Sequence, residues 1–173
     1  APVVFGQSGI TVGPATATDN GTITGYAIQS VVPPLATAPT VSPAGVVTIN
    51  NAGPVGAHVI TVRSTDNCGA ETDSTFTLVV NRANTTTTIT SDLPDPSVFG
   101  ENYTVTAAAA VAGPGAGVPT GSISVTDGTN NCLITLPATS CVLPSTSVGP
   151  KTLTAVYSGD GNFTGSSDTE GHT

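Results

Sequence analysis

Three stretches in the second half of the chain decide its fold: PSVFGENYTVTAAAAV at 96–111, VPTGSISVTDGTNNC at 118–132 and KTLTAVYSGDGNFTGSS at 151–167. In them Thr and apolar residues alternate over a few positions before Gly, Pro, Asn or Asp interrupts the pattern. Alternation with a period of two predicts β-strands, and interruptions at short intervals predict turns. The stretches therefore predict an all-β unit built from short strands.

The first half of the chain carries the same pattern. Its turn residues include DNG at Asp19–Gly21 and DNCG at Asp66–Gly69, and prolines 33, 34, 39 and 43 predict a long crossing loop. The predicted strands, each an alternating or β-branched run, are GITV at 9–12, ITGYAIQSV at 23–31, VVTIN at 46–50, HVITVRSTD at 58–66 and STFTLVVN at 74–81.

Length and composition set limits on the class of protein. A chain of 173 residues holds one or two domains, because β-sandwiches need about 100 residues each. Only 8% of the residues are charged, against about 25% in an average soluble protein, while glycine (20) and proline (14) are abundant. The charge is too low and the β-branched content too high for a disordered chain.

The net charge of −8 argues against two classes of partner. Arg63, Arg82 and Lys151 are the three cationic residues, and they are too scattered to neutralise phosphates. We therefore expect no binding to nucleic acid and no docking on an anionic membrane. The surplus of carboxylates leaves divalent cations as candidate partners, and it also keeps an apolar-rich β protein soluble.

The sequence contains no apolar run of about 18 residues and no leader segment with a charged start and an apolar core, so we expect no membrane insertion. The last predicted strand is still running at Thr173. We therefore interpret the chain as a fragment of a longer secreted protein, located outside the cell or on the cell surface.

The three stretches resemble the bacterial Ig-like repeat family, over residues of about 84–173. Residues of about 1–82 resemble the cadherin-like and related Ig-like modules of bacterial surface proteins, on AGVVTINNAGPVGAHVITVRSTDNCGAETDSTFTLVVN at 44–81. The resemblance implies two tandem immunoglobulin-like Greek-key β-sandwiches, at 1–82 and 83–173, joined by the short polar segment NRANTTTT at 81–88. The bulky residues expected in the second core are Phe99, Tyr103, Tyr157 and Phe163.

The cysteines fit export from the cell. Cys132 and Cys141 flank LITLPATS, which predicts a hairpin around Pro137 that would bring the thiols close enough for a disulfide. Members of the resembled family often carry such a pair, although two reduced buried cysteines are the alternative. Cys68 is the odd cysteine: it is either buried or paired elsewhere in the parent chain. Catalysis by its thiol would need His58, the one imidazole in that half.

Calcium binding is the most specific function that the sequence suggests. Asp66 in VRSTDN resembles the Asp of the cadherin calcium motif, and Asp19, Asp73 and Glu71 are the other candidate ligands of the first unit. The junction carries Arg82 where the cadherin linker carries acidic residues. The alternative is that Asp66 caps its own turn. GDGN at 159–162 lacks the rest of an EF-hand loop and predicts a β-turn.

Signatures of catalysis are missing from the sequence, which has no GxSxG, HExxH or phosphate-binding glycine loop. We therefore expect no enzyme and no obligatory cofactor, with calcium as the possible exception. The expected role is a non-catalytic spacer of a large bacterial surface or secreted repeat protein, with neighbouring Ig-like repeats as partners. The alternatives are an adhesion module for an extracellular glycan or protein, and an accessory module of a secreted hydrolase.

Overall fold

A computed structural model describes residues 2–13 and 21–173. The chain divides into two compact units: Ala1–Arg82 with Pro114–Ala116, and Ala83–Gly113 with Gly117–Thr173. Within the described ranges every regular element is a strand. The all-β prediction is therefore confirmed.

In its described residues the first unit places seven strands in two sheets. One sheet has the order β1-β7-β6-β3 and the other has the order β2-β5-β4. β1 runs parallel to β7, and the remaining pairs are antiparallel. The strands are β1 (Val3–Val4), β2 (Ile10–Val12), β3 (Ile23–Val32), β4 (Thr40–Val41), β5 (Val47–Ile49), β6 (Gly56–Asp66) and β7 (Glu71–Asn81).

The core of the first unit follows from the alternation along β6. Every second residue from His58 to Asp66 is buried, whereas Val59 between them is exposed. Successive side chains of a strand point to opposite faces, so β6 buries one complete face. Ile60 and Val62 on that face pack with Val47 and Ile49 of the other sheet, which closes the sandwich.

The sequence located the long strands of this unit and missed its short ones. The five predicted strands are confirmed, although β7 begins at Glu71, three residues earlier than predicted. β1 and β4 have two residues each, too few for an alternating pattern to be visible. β4 lies within the proline-rich crossing segment, where it pairs with β5.

The second unit also has seven strands in two sheets. The strand orders are β11-β10-β13-β14 and β12-β9-β8. β10 pairs with β13 and β9 with β12, so the chain crosses repeatedly between the sheets, as in Greek-key sandwiches. The strands are β8 (Thr85–Leu93), β9 (Asn102–Val111), β10 (Ser122–Thr126), β11 (Asn131–Thr135), β12 (Ser140–Pro144), β13 (Lys151–Tyr157) and β14 (Ser166–His172).

Three of the four bulky side chains expected in the second core are buried there: Tyr103, Tyr157 and Phe163. The prediction for Phe99 was wrong, because its side chain is 65% exposed. Glu101 donates a backbone hydrogen bond to Val98 O over 3.0 Å, which closes a tight turn around Phe99. A turn between β8 and β9 therefore holds Phe99 outside the strands, where alternation no longer sets the direction of a side chain.

Candidate functional site

Asp66 closes the turn between β6 and β7. Its Oδ1 accepts backbone hydrogen bonds from Cys68 over 2.8 Å and from Ala70 over 2.7 Å, and the side chain is buried. This is the turn-capping role that the sequence left open beside calcium binding. Calcium takes six to eight oxygen ligands, and the calcium site at Asp66 stays a prediction.

Two of the other predicted calcium ligands, Asp73 and Glu71, are held by one arginine. Asp73 accepts hydrogen bonds from Arg63 over 2.7 and 3.0 Å, and Glu71 accepts one from the same guanidinium over 2.6 Å. The Arg63 hydrogen bond holds the pKa of Asp73 below its ordinary value. Asp19 lies outside the described residues.

A different set of ligating side chains converges in the second unit: Asp92, Asp95 and His172. One ligand atom from each lies within 4.8 Å of the others, which makes this the one group of three or more such residues within the described ranges. Asp92 lies near the end of β8, Asp95 lies in the loop that follows, and His172 ends β14. Sequence reasoning missed this set, because no spacing motif connects residues that are 80 positions apart.

His172 is the fixed centre of this cluster. Its ring is fully buried and stacks on Tyr103, with ring centroids 4.0 Å apart and an angle of 16° between the planes. Nδ1 lies 2.9 Å from Asp92 Oδ2 and 3.7 Å from Asp95 Oδ1, and Nε2 lies 2.9 Å from Ser97 Oγ. Stacking and hydrogen bonds thus fix both the position and the rotation of the ring.

Tyr103 extends the network to the opposite sheet, where its hydroxyl donates to Asp127 Oδ2. Burial and this hydrogen bond raise the pKa of Tyr103. Burial disfavours the ionised form of Asp127, but hydrogen bonds from Asn130, Thr129 and Tyr103 outweigh it and lower the pKa of Asp127. Asp127 is thus an ionised acceptor within a structural network.

GDGN forms a tight reversal of the chain, in which Asp160 N donates to Phe163 O over 3.1 Å. Asp160 Oδ1 accepts backbone hydrogen bonds from Asn162 and Phe163, and Oδ2 accepts two from Thr120. Gly159 has a φ of +81°, and a Cβ there would come within 2.7 Å of Phe163 O, so only glycine fits. The Asp160 carboxylate thus accepts four hydrogen bonds, and its role is to stabilise this turn.

Cys132 and Cys141 form a disulfide with a Cα–Cα distance of 6.0 Å. The predicted hairpin between them was wrong, because Cys132 lies on β11 and Cys141 on β12, which belong to different sheets. The bond therefore connects the edge strands of the two sheets. The segment around Pro137 carries the chain from one sheet to the other, which sequence alternation alone cannot reveal.

Cys68 is an exposed free thiol, so of the two alternatives left open by the sequence, burial was wrong and pairing elsewhere in the parent chain stays a prediction. It lies in the turn between β6 and β7, beside the Asn67 amide oxygen, 3.8 Å from its Sγ. His58, the base that a thiol enzyme would need, is fully buried between the carbonyls of Pro33 and Pro54. Both its ring nitrogens are engaged there, so it is not available to activate Cys68.

The second unit also contains a small apolar recess of about 210 Å³. Ligand pockets are commonly about 300–1,000 Å³ and carry convergent polar groups. None of the lining side chains is titratable; they are Ala107, Ala108, Ala109, Val118, Pro119, Leu136, Pro137, Ala138 and Thr139. The recess therefore has no groups for acid–base or nucleophilic chemistry.

Residues 89–172 match the sequence model of the bacterial Ig-like domain (group 3). This segment of the chain is similar to bacterial Ig-like domains. Domains of this kind are typical of bacterial surface proteins, are generally non-catalytic and commonly occur outside the cell. The Asp92, Asp95 and His172 cluster lies within the matched segment, as do the disulfide and the Tyr103 network.

Comparison with solved structures finds the fibronectin(III)-like modules of CbhA from Clostridium thermocellum, at 16% sequence identity and a TM-score of 0.40. The similarity covers 99% of this chain and 88% of that one. A search of curated proteins finds no match. Within the described ranges, no helix is long and apolar enough to cross a membrane. The cadherin-like character of the first unit stays a prediction.

Proposed function

We propose that the chain is a non-catalytic, load-bearing segment of a bacterial surface or secreted protein, which projects the domains attached to it. The observation that carries this proposal is shared by both units. In each unit, the first described segment of the chain runs parallel to a segment that lies in the last strand or just before it. The disulfide supports a location outside the cytosol, because structural disulfides persist in oxidising compartments.

In the first unit the parallel contact joins β1 to β7. Val3 is paired with Val80 and Val4 with Asn81, and Phe5 donates a backbone hydrogen bond to Asn81 O over 2.9 Å. The Asn81 side chain also donates to Val3 O over 3.4 Å. The first strand is therefore attached to the strand by which the chain leaves the unit.

The second unit repeats this arrangement at Ala83, which forms a parallel bridge with Phe163. Ala83 donates to Asn162 O and accepts from Thr164 N, both over 2.9 Å. Farther along β8, the Thr87 hydroxyl is 2.7 Å from the Ser166 hydroxyl and 3.2 Å from Ser166 O. β8 is thus held to the start of β14 by backbone and side-chain bonds.

Parallel terminal segments determine how tension acts on the bonds between them. When the two ends of a unit are pulled apart, parallel neighbours slide past each other, and all their hydrogen bonds are loaded together. Antiparallel neighbours pulled from the same end instead open one bond at a time. Forced unfolding is governed by the unfolding rate, so this geometry supports a role under tension.

Single-molecule force spectroscopy on the chain between two marker domains tests this proposal. We expect two unfolding events at forces well above those of an unzipped hairpin. Thr87→Val keeps the shape of the buried side chain and removes its hydroxyl bonds, so it should lower the force of one event. Thr88→Val, on the exposed side of β8, is the matched control. Unfolding at unzipping forces, or equal effects of both variants, would contradict the load-bearing role.

An adhesive role is the second candidate, and it has one observation in its favour. Phe99 and its neighbour Val98 are both largely exposed, at the turn between β8 and β9. An exposed aromatic side chain is a common anchor for a protein or glycan ligand. Binding to extracellular glycans or matrix proteins that is lost in Phe99→Ser would favour adhesion. Equal binding by the parent chain and the Phe99→Ser variant would count against it.

A further inference from the structure

We propose that Asp92, Asp95 and His172 form a binding site for a divalent transition-metal ion of the Zn²⁺ type. The site uses one imidazole nitrogen and two carboxylate oxygens, all within 4.8 Å of one another. Three separate segments supply them: β8, the loop after it, and β14. This inference does not depend on the mechanical role proposed above.

The distances between the ligand atoms suit a small ion. In a tetrahedral zinc site with bonds of about 2.0 Å, the ligand atoms lie roughly 3.3 Å apart. His172 Nδ1 lies 2.9 Å from Asp92 Oδ2 and 3.7 Å from Asp95 Oδ1, and these two distances bracket that value. The third pair of ligand atoms, from Asp92 and Asp95, lies within 4.8 Å.

The hydrogen-bond chain beyond His172 fixes which ring nitrogen faces the site as an acceptor. Ser97 donates its hydroxyl proton to Ser145 Oγ over 3.1 Å, so Ser97 Oγ is left to accept from His172 Nε2–H. In the neutral ring the lone pair is then on Nδ1, which points at two carboxylates. Three electron-rich atoms facing one another need either a metal ion or a proton between them.

The hydrogen bonds beyond His172 are also of the kind that support a metal-binding histidine. A histidine that binds a metal through one nitrogen usually donates its other N–H to a neighbouring acceptor, which fixes the ring. Here Ser97 accepts that proton and Tyr103 holds the plane of the ring by stacking. Thr173 N donates to Asp95 Oδ1 over 2.8 Å and holds that carboxylate near the ring.

The donor set selects the class of ion. Calcium needs six to eight oxygen ligands, whereas this cluster offers three atoms, one of them nitrogen. Imidazole combined with carboxylate suits zinc and its neighbours among the transition metals. The Asp92 and His172 side chains are 11% and 0% exposed and that of Asp95 is 35% exposed, so the remaining ligand positions face solvent beside Asp95.

A bound ion would join the first and last strands of the second unit. Asp92 belongs to β8 and His172 to β14. His172 also stacks on Tyr103, whose hydroxyl donates to Asp127 on the opposite sheet. The competing occupant of this space is a proton on His172 Nδ1, which would make the cluster a plain ion pair. The test must distinguish these two occupants.

The test is a zinc titration of the full chain carrying Cys68→Ser, because the exposed Cys68 thiol is itself a zinc ligand. Competition with a chromogenic chelator should show one bound equivalent, and the melting temperature of the second unit should rise by several degrees with Zn²⁺. Asp95→Asn removes one ligand at the most exposed position, so it should weaken binding by at least about tenfold. Glu170→Gln, an exposed acid on β14, is the matched control and should bind as the parent does.

Nitrogen-15 NMR of the histidine rings is the second measurement, and it does not rely on a variant that folds. Zinc should shift the Nδ1 resonance of His172 and leave its Nε2–H in place, while the His58 resonances stay unchanged. Failure to bind one equivalent, equal affinities for Asp95→Asn and Glu170→Gln, or an unchanged His172 Nδ1 would each overturn the metal site and leave the ion pair.

Discussion

Tyr103 and Asp127 are hydrogen-bonded across the two sheets of the second unit, with the Tyr103 hydroxyl 3.0 Å from Asp127 Oδ2. Tyr103 lies on β9, and Asp127 follows the last residue of β10. The carboxylate also accepts backbone hydrogen bonds from Thr129 and Asn130, over 2.9 and 2.6 Å. One buried acid thus fixes its own turn and joins the sheets at the same time.

Tyr103→Phe should therefore lower the free energy of unfolding of the second unit by about 2 kcal/mol, because it removes a buried hydrogen bond to a charged acceptor. Urea denaturation measures the loss. Tyr157→Phe is the comparison: its hydroxyl donates to the carbonyl of Thr120, near the Asp160 carboxylate, so the expected loss is about 1 kcal/mol. Equal losses in the two variants would show that a direct hydrogen bond to a carboxylate is worth no more here than one to a carbonyl.

Asp160 should make the second unit sensitive to acid. Burial opposes ionisation, but hydrogen bonds from Thr120, Asn162 and Phe163 outweigh it and lower the pKa of Asp160 from 3.8 to about 2. A group whose pKa is lowered by folding stabilises the fold above its unfolded value, and that contribution disappears as the pH falls through the folded value. The contribution should therefore be complete above about pH 4 and be lost towards pH 2.

Asp160→Asn should flatten the pH dependence of the melting temperature within this window, because the amide does not titrate. Thr120→Val keeps the acid and removes one of its donors, so it should give an intermediate slope. Parallel profiles for the wild-type chain and Asp160→Asn would contradict the assignment of the acid sensitivity to this turn.

The disulfide between Cys132 and Cys141 should stabilise the second unit by roughly 2–3 kcal/mol, since it closes a loop of about ten residues in the unfolded chain. Replacing both cysteines with alanine should lower the melting transition of that unit and leave the first unit unchanged. Cys68→Ala, which removes the exposed thiol, is the control. Equal melting of the double variant and the parent would mean that the bridge contributes nothing to stability.

His58 should be a sensitive position of the first unit. Its Nδ1 and Nε2 are each 2.8 Å from a backbone carbonyl, of Pro33 and of Pro54, and the ring is fully buried. His58→Ala removes the ring's hydrogen bond to a backbone carbonyl and leaves a cavity, so we expect a loss of about 3–5 kcal/mol in urea denaturation. Val59→Ala, at the exposed neighbouring position, should cost far less, and similar losses would contradict this account.

The strands could be predicted from the sequence because alternation along β6 and β13 reflects burial directly. Residues from His58 to Asp66 obey a period of two, and so do Leu153, Ala155 and Tyr157. Phe99 was misassigned because apolar character alone does not decide burial in a turn. The sequence also showed where a disulfide was expected, but it did not show that the chain changes sheets between the two cysteines.

The cluster around His172 could not be predicted from the sequence. Asp92 and Asp95 flank the Leu93-Pro94 step of a proline-rich stretch of sequence and His172 follows a glycine, a context that indicates turns and little else. The three come together only because β8 and β14 are neighbours in the folded unit, a relationship between residues 80 positions apart. For Asp66 the sequence instead suggested a site, because its local motif resembles one that binds calcium. In the structure, its Oδ1 already accepts hydrogen bonds from the backbone of its own turn.

The position of His172 at the end of β14 also sets the order of events when the chain is made. Every described strand of the first unit has been made once Asn81 has emerged, whereas Asp92 must wait for His172 before its buried partner exists. At synthesis rates of about 5–20 residues per second, that delay is on the order of 5–20 s. We therefore expect the N-terminal unit to be folded while its neighbour still displays unpaired strands to chaperones and proteases.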